Sequence, residues 1–190
     1  MTVAATTALP PQLARIKQEL LDARERARRV TTGLTDELWG RRPSEGTWSI
    51  AECLMHLNLT SERAIPIIDE GIARGREQRI EGTGPFRTGL IGWTLLKLLE
   101  PPYRMKIKTS EPFVPARIEP MAETLERFDY LQRELQGRVD RAAGLDLNRL
   151  RVPSPFAQQV KYNLYVLLAV LPVHQRRHLW QAEQIRATLG

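Results

Sequence analysis

The chain has 190 residues, enough for one domain whose core needs no disulfide or metal staple. Its hydrophobic share of 42% and charged share of 26% are those of an ordinary globular protein and exclude a disordered or membrane-embedded class. The net charge of +6 raises the question of nucleic acid, but the densest basic group, Arg24, Arg26, Arg28 and Arg29, has no interleaved aromatics and no recognition motif beside it. It reads as a solvated helix face, and no nucleic-acid partner is expected.

The first long helix is predicted from about Pro11 to Val30, where Leu13, Ile16, Leu20, Ala23, Ala27 and Val30 recur at steps of three and four. A polar link, residues 31–47, follows. The second helix has an explicit start: Ser49 can cap it, Glu52 can complete the capping box, and Trp48 can staple it from outside. It runs through Cys53, Leu57, Ala64 and Ile68 until Gly71 and Gly75 weaken it.

Some 45 residues then separate the second and third long helices, far more than an antiparallel pair needs. Within them the apolar run Leu90–Leu99 predicts a short extra helix. Core packing is its simplest role, with a lid over the bundle or a subunit contact as alternatives. The third helix follows Pro120, carries Met121, Leu125, Phe128, Leu135, Val139 and Ala142 on one face, and stops at Gly144. A second polar link, residues 144–159, leads to a fourth helix from about Val160 to Leu189, in which Pro172 predicts a kink near Leu168. No strand-period segment stands out. The fold class expected is all-α, a single domain over residues 1–190.

The chemistry sits on the histidines, of which there are three. His174 and His178 are four apart on the fourth helix, so their Cβ atoms lie roughly 5–6 Å apart on one face. A pair of this kind alone is most simply a coincidence of composition. Both, however, occupy the apolar stripe, where an unsatisfied polar ring costs roughly 1–3 kcal/mol. His56 lies roughly 10 Å from the start of the second helix, and His174 and His178 roughly 15–22 Å from the end of the fourth. If those helices are antiparallel neighbours the three levels nearly coincide. If they are parallel, the levels miss by roughly 11–17 Å, too far for one ion. The long connection before the third helix is what an up-down-down-up four-helix bundle requires, and there the second and fourth helices do oppose each other.

Three imidazoles on one divalent ion would leave coordination positions open, as in catalytic sites, for water or a thiolate. Glu52 and Gln181 are candidates to orient the ligands or whatever binds beside them, although the capping box is the simpler role for Glu52. Cys53 reads as core. It is the single cysteine, so no intramolecular disulfide forms and a reducing compartment is expected. Residues 1–9 show no targeting pattern and no apolar run reaches a membrane span. The expectation is a cytoplasmic protein without a membrane partner. There is no P-loop, dinucleotide fingerprint, G-x-S-x-G elbow or H-E-x-x-H.

Two segments resemble a known family. Trp48-Ser49-Ile50-Ala51-Glu52-Cys53-Leu54-Met55-His56-Leu57 resembles the second-helix motif of the DinB-like (YfiT-like) metalloprotein superfamily, and His174-Gln175-Arg176-Arg177-His178-Leu179-Trp180-Gln181 its fourth-helix motif. The resemblance implies an up-down-down-up bundle, one divalent ion, zinc or nickel, on His56, His174 and His178, and a homodimer. It also implies a transferase that ionises a low-molecular-weight thiol for attack on an electrophilic substrate. The alternatives are a hydrolase using metal-bound water and a non-catalytic metal- or ligand-binding bundle.

Overall fold

The computed structural model describes residues 9–102, 109–157 and 159–189. It is mostly helical: α1 (Pro11–Thr31), α2 (Asp36–Gly40), α3 (Ile50–Glu77), α4 (Gly89–Leu99), α5 (Met121–Ala142) and α6 (Leu164–Leu189). A 3₁₀ turn spans Glu111–Phe113, and β1 (Arg151–Pro153) pairs antiparallel with β2 (Lys161–Asn163).

The four long helices begin where local chemistry lets them. Proline precedes the first residue of α1 and of α5, satisfying the φ of a helix entry without needing its missing donor. Ser49 accepts from the Glu52 amide while the Glu52 carboxylate accepts from the Ser49 amide at 2.8 Å, a complete capping box for α3. Pro172 sits inside α6, which nonetheless runs as one helix from Leu164 to Leu189.

Helix α3 packs against α5 and α6, and α1 against the same two. Ion pairs and hydrogen bonds fix the levels. On α1, Gln12 meets Tyr165 and Arg26 meets Glu183 of α6, while Lys17 meets Asp140 and Arg24 meets Asp129 of α5. Between α3 and α5, Asn58 donates to the Thr124 carbonyl and Arg138 pairs with Asp69. Early α3 meets late α6 at the histidines, and late α3 meets early α6, where Gly71 approaches Leu164. The core fills the space between these helices in two clusters, one around Leu20, Ile68, Leu135 and Leu168, the other around Ile50, Leu54, Leu57 and Phe128.

Of the basic group on α1, Arg24 and Arg28 share Asp129 and Arg26 holds Glu183, while Arg28 and Arg29 stay exposed. Several expectations are corrected. The link 31–47 contains α2, whose start Thr35 caps and whose Trp39 is buried, donating its indole N–H to the Glu119 carbonyl. The link 144–159 contributes β1, and what reads as the start of the fourth helix is the end of that link and β2, the helix starting at Leu164. Gly71 and Gly75 do not weaken α3; they let the neighbouring segment approach it. A Cβ on Gly75 would stand 2.8 Å from Leu150 Cδ1 and 3.2 Å from Leu145 Cδ1, so a larger residue there would require those two buried leucines to shift. The run 90–99 is a short helix, α4, but only Gly92 and Leu99 of it are buried. Core packing therefore does not account for most of its apolar residues.

Among the described residues no helix is long and apolar enough to cross a membrane.

A buried three-histidine centre

His56 stands two turns into α3 and His174 and His178 one turn apart in α6, and all three are buried. His56 Nε2 lies 3.2 Å from His174 Nε2, and one nitrogen from each ring falls within 4.8 Å of the other two. The ring centroids are 4.5–5.0 Å apart.

The protons on two of these rings are fixed by their partners. His56 Nδ1 lies 2.8 Å from the Phe113 carbonyl oxygen, which can only accept, so Nδ1 carries the proton and Nε2 presents its lone pair to the cluster. His178 Nδ1 donates to Gln181 Oε1 at 3.2 Å, which leaves its Nε2 as the lone-pair atom. His174 Nδ1 is buried with no hydrogen-bond partner among the described residues.

Burial is the leading cause that keeps all three rings neutral. It pushes His56 down to about 4, with the Phe113 hydrogen bond opposing only in part. His174 and His178 are driven well below the ordinary histidine range by burial and then by the neighbouring histidines and Arg177. At neutral pH the cluster is therefore three uncharged nitrogen donors.

Such a donor set fits a divalent ion. Metal–imidazole bonds of about 2.0–2.1 Å place cis or tetrahedral donor atoms roughly 2.8–3.4 Å apart; the 3.2 Å between His56 and His174 lies in that range, and all three donors lie within 4.8 Å of one another. Without an ion, the one proton between His56 Nε2 and His174 Nε2 must sit on His174, which leaves His174 Nδ1 a buried lone pair with no partner among the described residues.

Aromatic walls enclose the cluster. Trp48 stacks on His178 with centroids 5.6 Å apart and lies 5.0 Å from His56, so it covers the site as well as preceding α3. Phe156 lies 5.2 Å from His174 and 5.2 Å from Phe113, whose ring stands edge-on to His56. Phe113 and Phe156 are the residues that sequence reading missed. Phe113 does carry a signal, an aromatic bracketed by Pro112 and Pro115 in the long crossover, whereas Phe156 carries none that periodicity can detect.

Gln181 lies against His178, whose Nδ1 donates to its Oε1. Glu52 is engaged at the helix start, its simpler role. Its carboxylate is held by the Ser49 amide and hydroxyl and by a bidentate ion pair with Arg42, which together hold its carboxyl below the usual range against the opposing effect of burial. The capping geometry turns the side chain back toward the helix start and away from the ring of His56 one turn on. Cys53 is buried among apolar side chains and burial pushes its thiol up, so it is inert core.

A model of the DinB superfamily matches residues 19–182. The chain belongs to the DinB superfamily. No curated protein and no solved structure matches it. The matched span contains all three histidines and the whole of α3, α4 and α5, together with most of α6.

Proposed function

We propose that this DinB-superfamily chain is an up-down-down-up four-helix bundle that holds one divalent ion, zinc or nickel, on His56, His174 and His178, and that it transfers a low-molecular-weight thiol to an electrophile. The helix pairings support the topology: early α3 against late α6, α1 level with α6, and α3 level with α5. The single observation that carries the metal reading is the approach of three buried, neutral imidazoles within 4.8 Å of one another.

When bound, such an ion supplies a Lewis acid at which a thiol loses its proton near neutral pH. The chain's own residues prepare that place. Phe113 and Gln181 fix which nitrogens of His56 and His178 face inward. Trp48, Phe113 and Phe156 exclude water, which strengthens the attraction between the site and an anionic sulfur. The thiol reading is favoured over hydrolysis by the carboxylates. Hydrolysis calls for a general base beside the reacting water, but Glu52 is committed to Ser49 and Arg42, and no carboxylate joins the histidine cluster among the described residues. A thiol cosubstrate brings its own nucleophile and needs no such base.

The test has two stages. Metal analysis of purified protein should give close to one divalent ion per chain, with most of it lost in His178→Ala. A panel of bacillithiol, mycothiol, glutathione and cysteine with a generic electrophile should then show accelerated conjugation at neutral pH. The advantage should shrink as pH approaches the free thiol's value of about 8.5. Cys53→Ser should retain the activity and His56→Ala abolish it. If no thiol reacts faster than in buffer, the transferase reading is lost while the metal site stands on its own measurement.

A further inference from the structure

Helix α4 is fastened to the bundle by one face, and among the described residues the other face has no partner. Gly92 faces α6 so closely that a Cβ there would stand 2.5 Å from Val166 Cγ2. At its far end Arg176 pairs with Glu100, and Arg177 donates to the Leu98 carbonyl at 3.1 Å. The helix therefore lies along α6, and its end is tied to the two residues immediately before His178. With that face held, the opposite one is turned outward: Leu90 is 79% and Trp93 55% exposed, and Ile91 and Leu98 are exposed beside them. Lys97 lies in the middle of this apolar face and Arg87 just before it, both exposed and neither in an ion pair among the described residues. The acid nearest in sequence, Glu100, is engaged by Arg176.

We propose that α4 is a docking helix for an anionic lipid bilayer surface. The occupant must be apolar and yet accommodate unpaired cations at the centre and edge of the patch. A bilayer interface does both, since tryptophan and leucine enter the headgroup boundary while lysine extends to the lipid phosphates. A second copy of the chain fits less well. The four side chains present on the order of 500 Å², against about 800 Å² per partner in a stable interface, and a symmetric contact would bring Lys97 against an apolar face with no acid to meet it. A helix lying in the interface needs no spanning segment, so the lack of one does not bear on this surface.

Sedimentation with vesicles tests it. The metal-loaded wild type should pellet with phosphatidylcholine vesicles containing phosphatidylglycerol, more weakly with pure phosphatidylcholine, and less at high salt. Leu90→Ser with Trp93→Ser should reduce partitioning about tenfold or more, because membrane affinity scales with buried apolar area. Lys97→Glu should reduce it on anionic vesicles only, and Trp93→Phe should retain it. All three substituted positions are exposed, so thermal unfolding and metal content should be unchanged. Absence of wild-type binding to anionic vesicles, or binding that the double variant leaves intact, overturns the proposal. So does a dimer in analytical ultracentrifugation that the double variant dissociates, which would assign the face to a second copy.

Discussion

Acidifying the metal-free protein should unfold it over a window set by the histidine cluster. His56 falls from its ordinary value of 6.5 to about 4 in the folded chain because burial disfavours its charged form. The folded state thus binds fewer protons than the unfolded state between those values. Stability from this residue is fully present above about pH 6.5 and is lost as pH falls toward 4, at up to about 1.4 kcal/mol per unit, or about 3 kcal/mol in all. His174 and His178 shift in the same direction, so they steepen the loss. Against a typical total of about 5–15 kcal/mol, His56 alone decides a large share. Urea midpoints followed by circular dichroism after metal removal, at half-unit steps from pH 7.5 to 4.5, would read this out. Carboxylates such as Glu52 also lose stabilising contacts at the acid end, so the informative quantity is the difference between wild type and His56→Gln. The variant should show a shallower decline between pH 6.5 and 5. Identical slopes in the two proteins, or a wild type that gains stability as pH falls through that window, would refute the reasoning.

Gln181→Leu should weaken metal binding about 10- to 100-fold in a competition titration with a zinc chelator, because it removes the acceptor that orients His178; unchanged affinity would show that Trp48 stacking suffices. Glu52→Ala should cost about 1–3 kcal/mol in urea unfolding through loss of the capping box and of the Arg42 contact, with metal content intact. Loss of metal in that variant would return Glu52 to the site. Gly75→Ala should destabilise by about 1–3 kcal/mol, since its Cβ would meet the buried Leu150 and Leu145 at 2.8 and 3.2 Å, and a thermal midpoint equal to the wild type would show that those leucines can withdraw.

The parts of the fold that sequence revealed are those where one local rule acts alone. The apolar stripe of α1 and the Ser49–Glu52 box of α3 need only neighbours within a turn or two, and both are found as expected. What escaped depends on partners far along the chain. The β1–β2 pair has three residues in each strand, too few for alternation to register, and Val152 of β1, with Leu150 just before it, packs against α3 at Gly71 and Gly75. The same glycines, read along the sequence, look like helix weakeners. The ion pairs of Arg24 and Arg28 with Asp129, about a hundred residues away, are equally invisible along the sequence.

The candidate site divides along the same line. Ring levels could be computed from helix rise because His56, His174 and His178 sit on long, regular elements. The two contacts that fix their protons differ in reach. Gln181 is three residues from His178, within one turn, and was legible. The Phe113 carbonyl is 57 residues from His56 and was not. That second contact gives the long crossover a definite duty. Its final part brings a backbone acceptor and an aromatic wall to the ligand of α3, while its first part supplies α4, anchored by Arg176 and Arg177 beside the ligands of α6. A segment that looks like excess connection between two helices therefore contacts His56 directly through Phe113 and reaches the residues next to His178 through the end of α4. Changes in its length or composition should alter the donor set's orientation and surroundings while leaving the three histidines themselves in place.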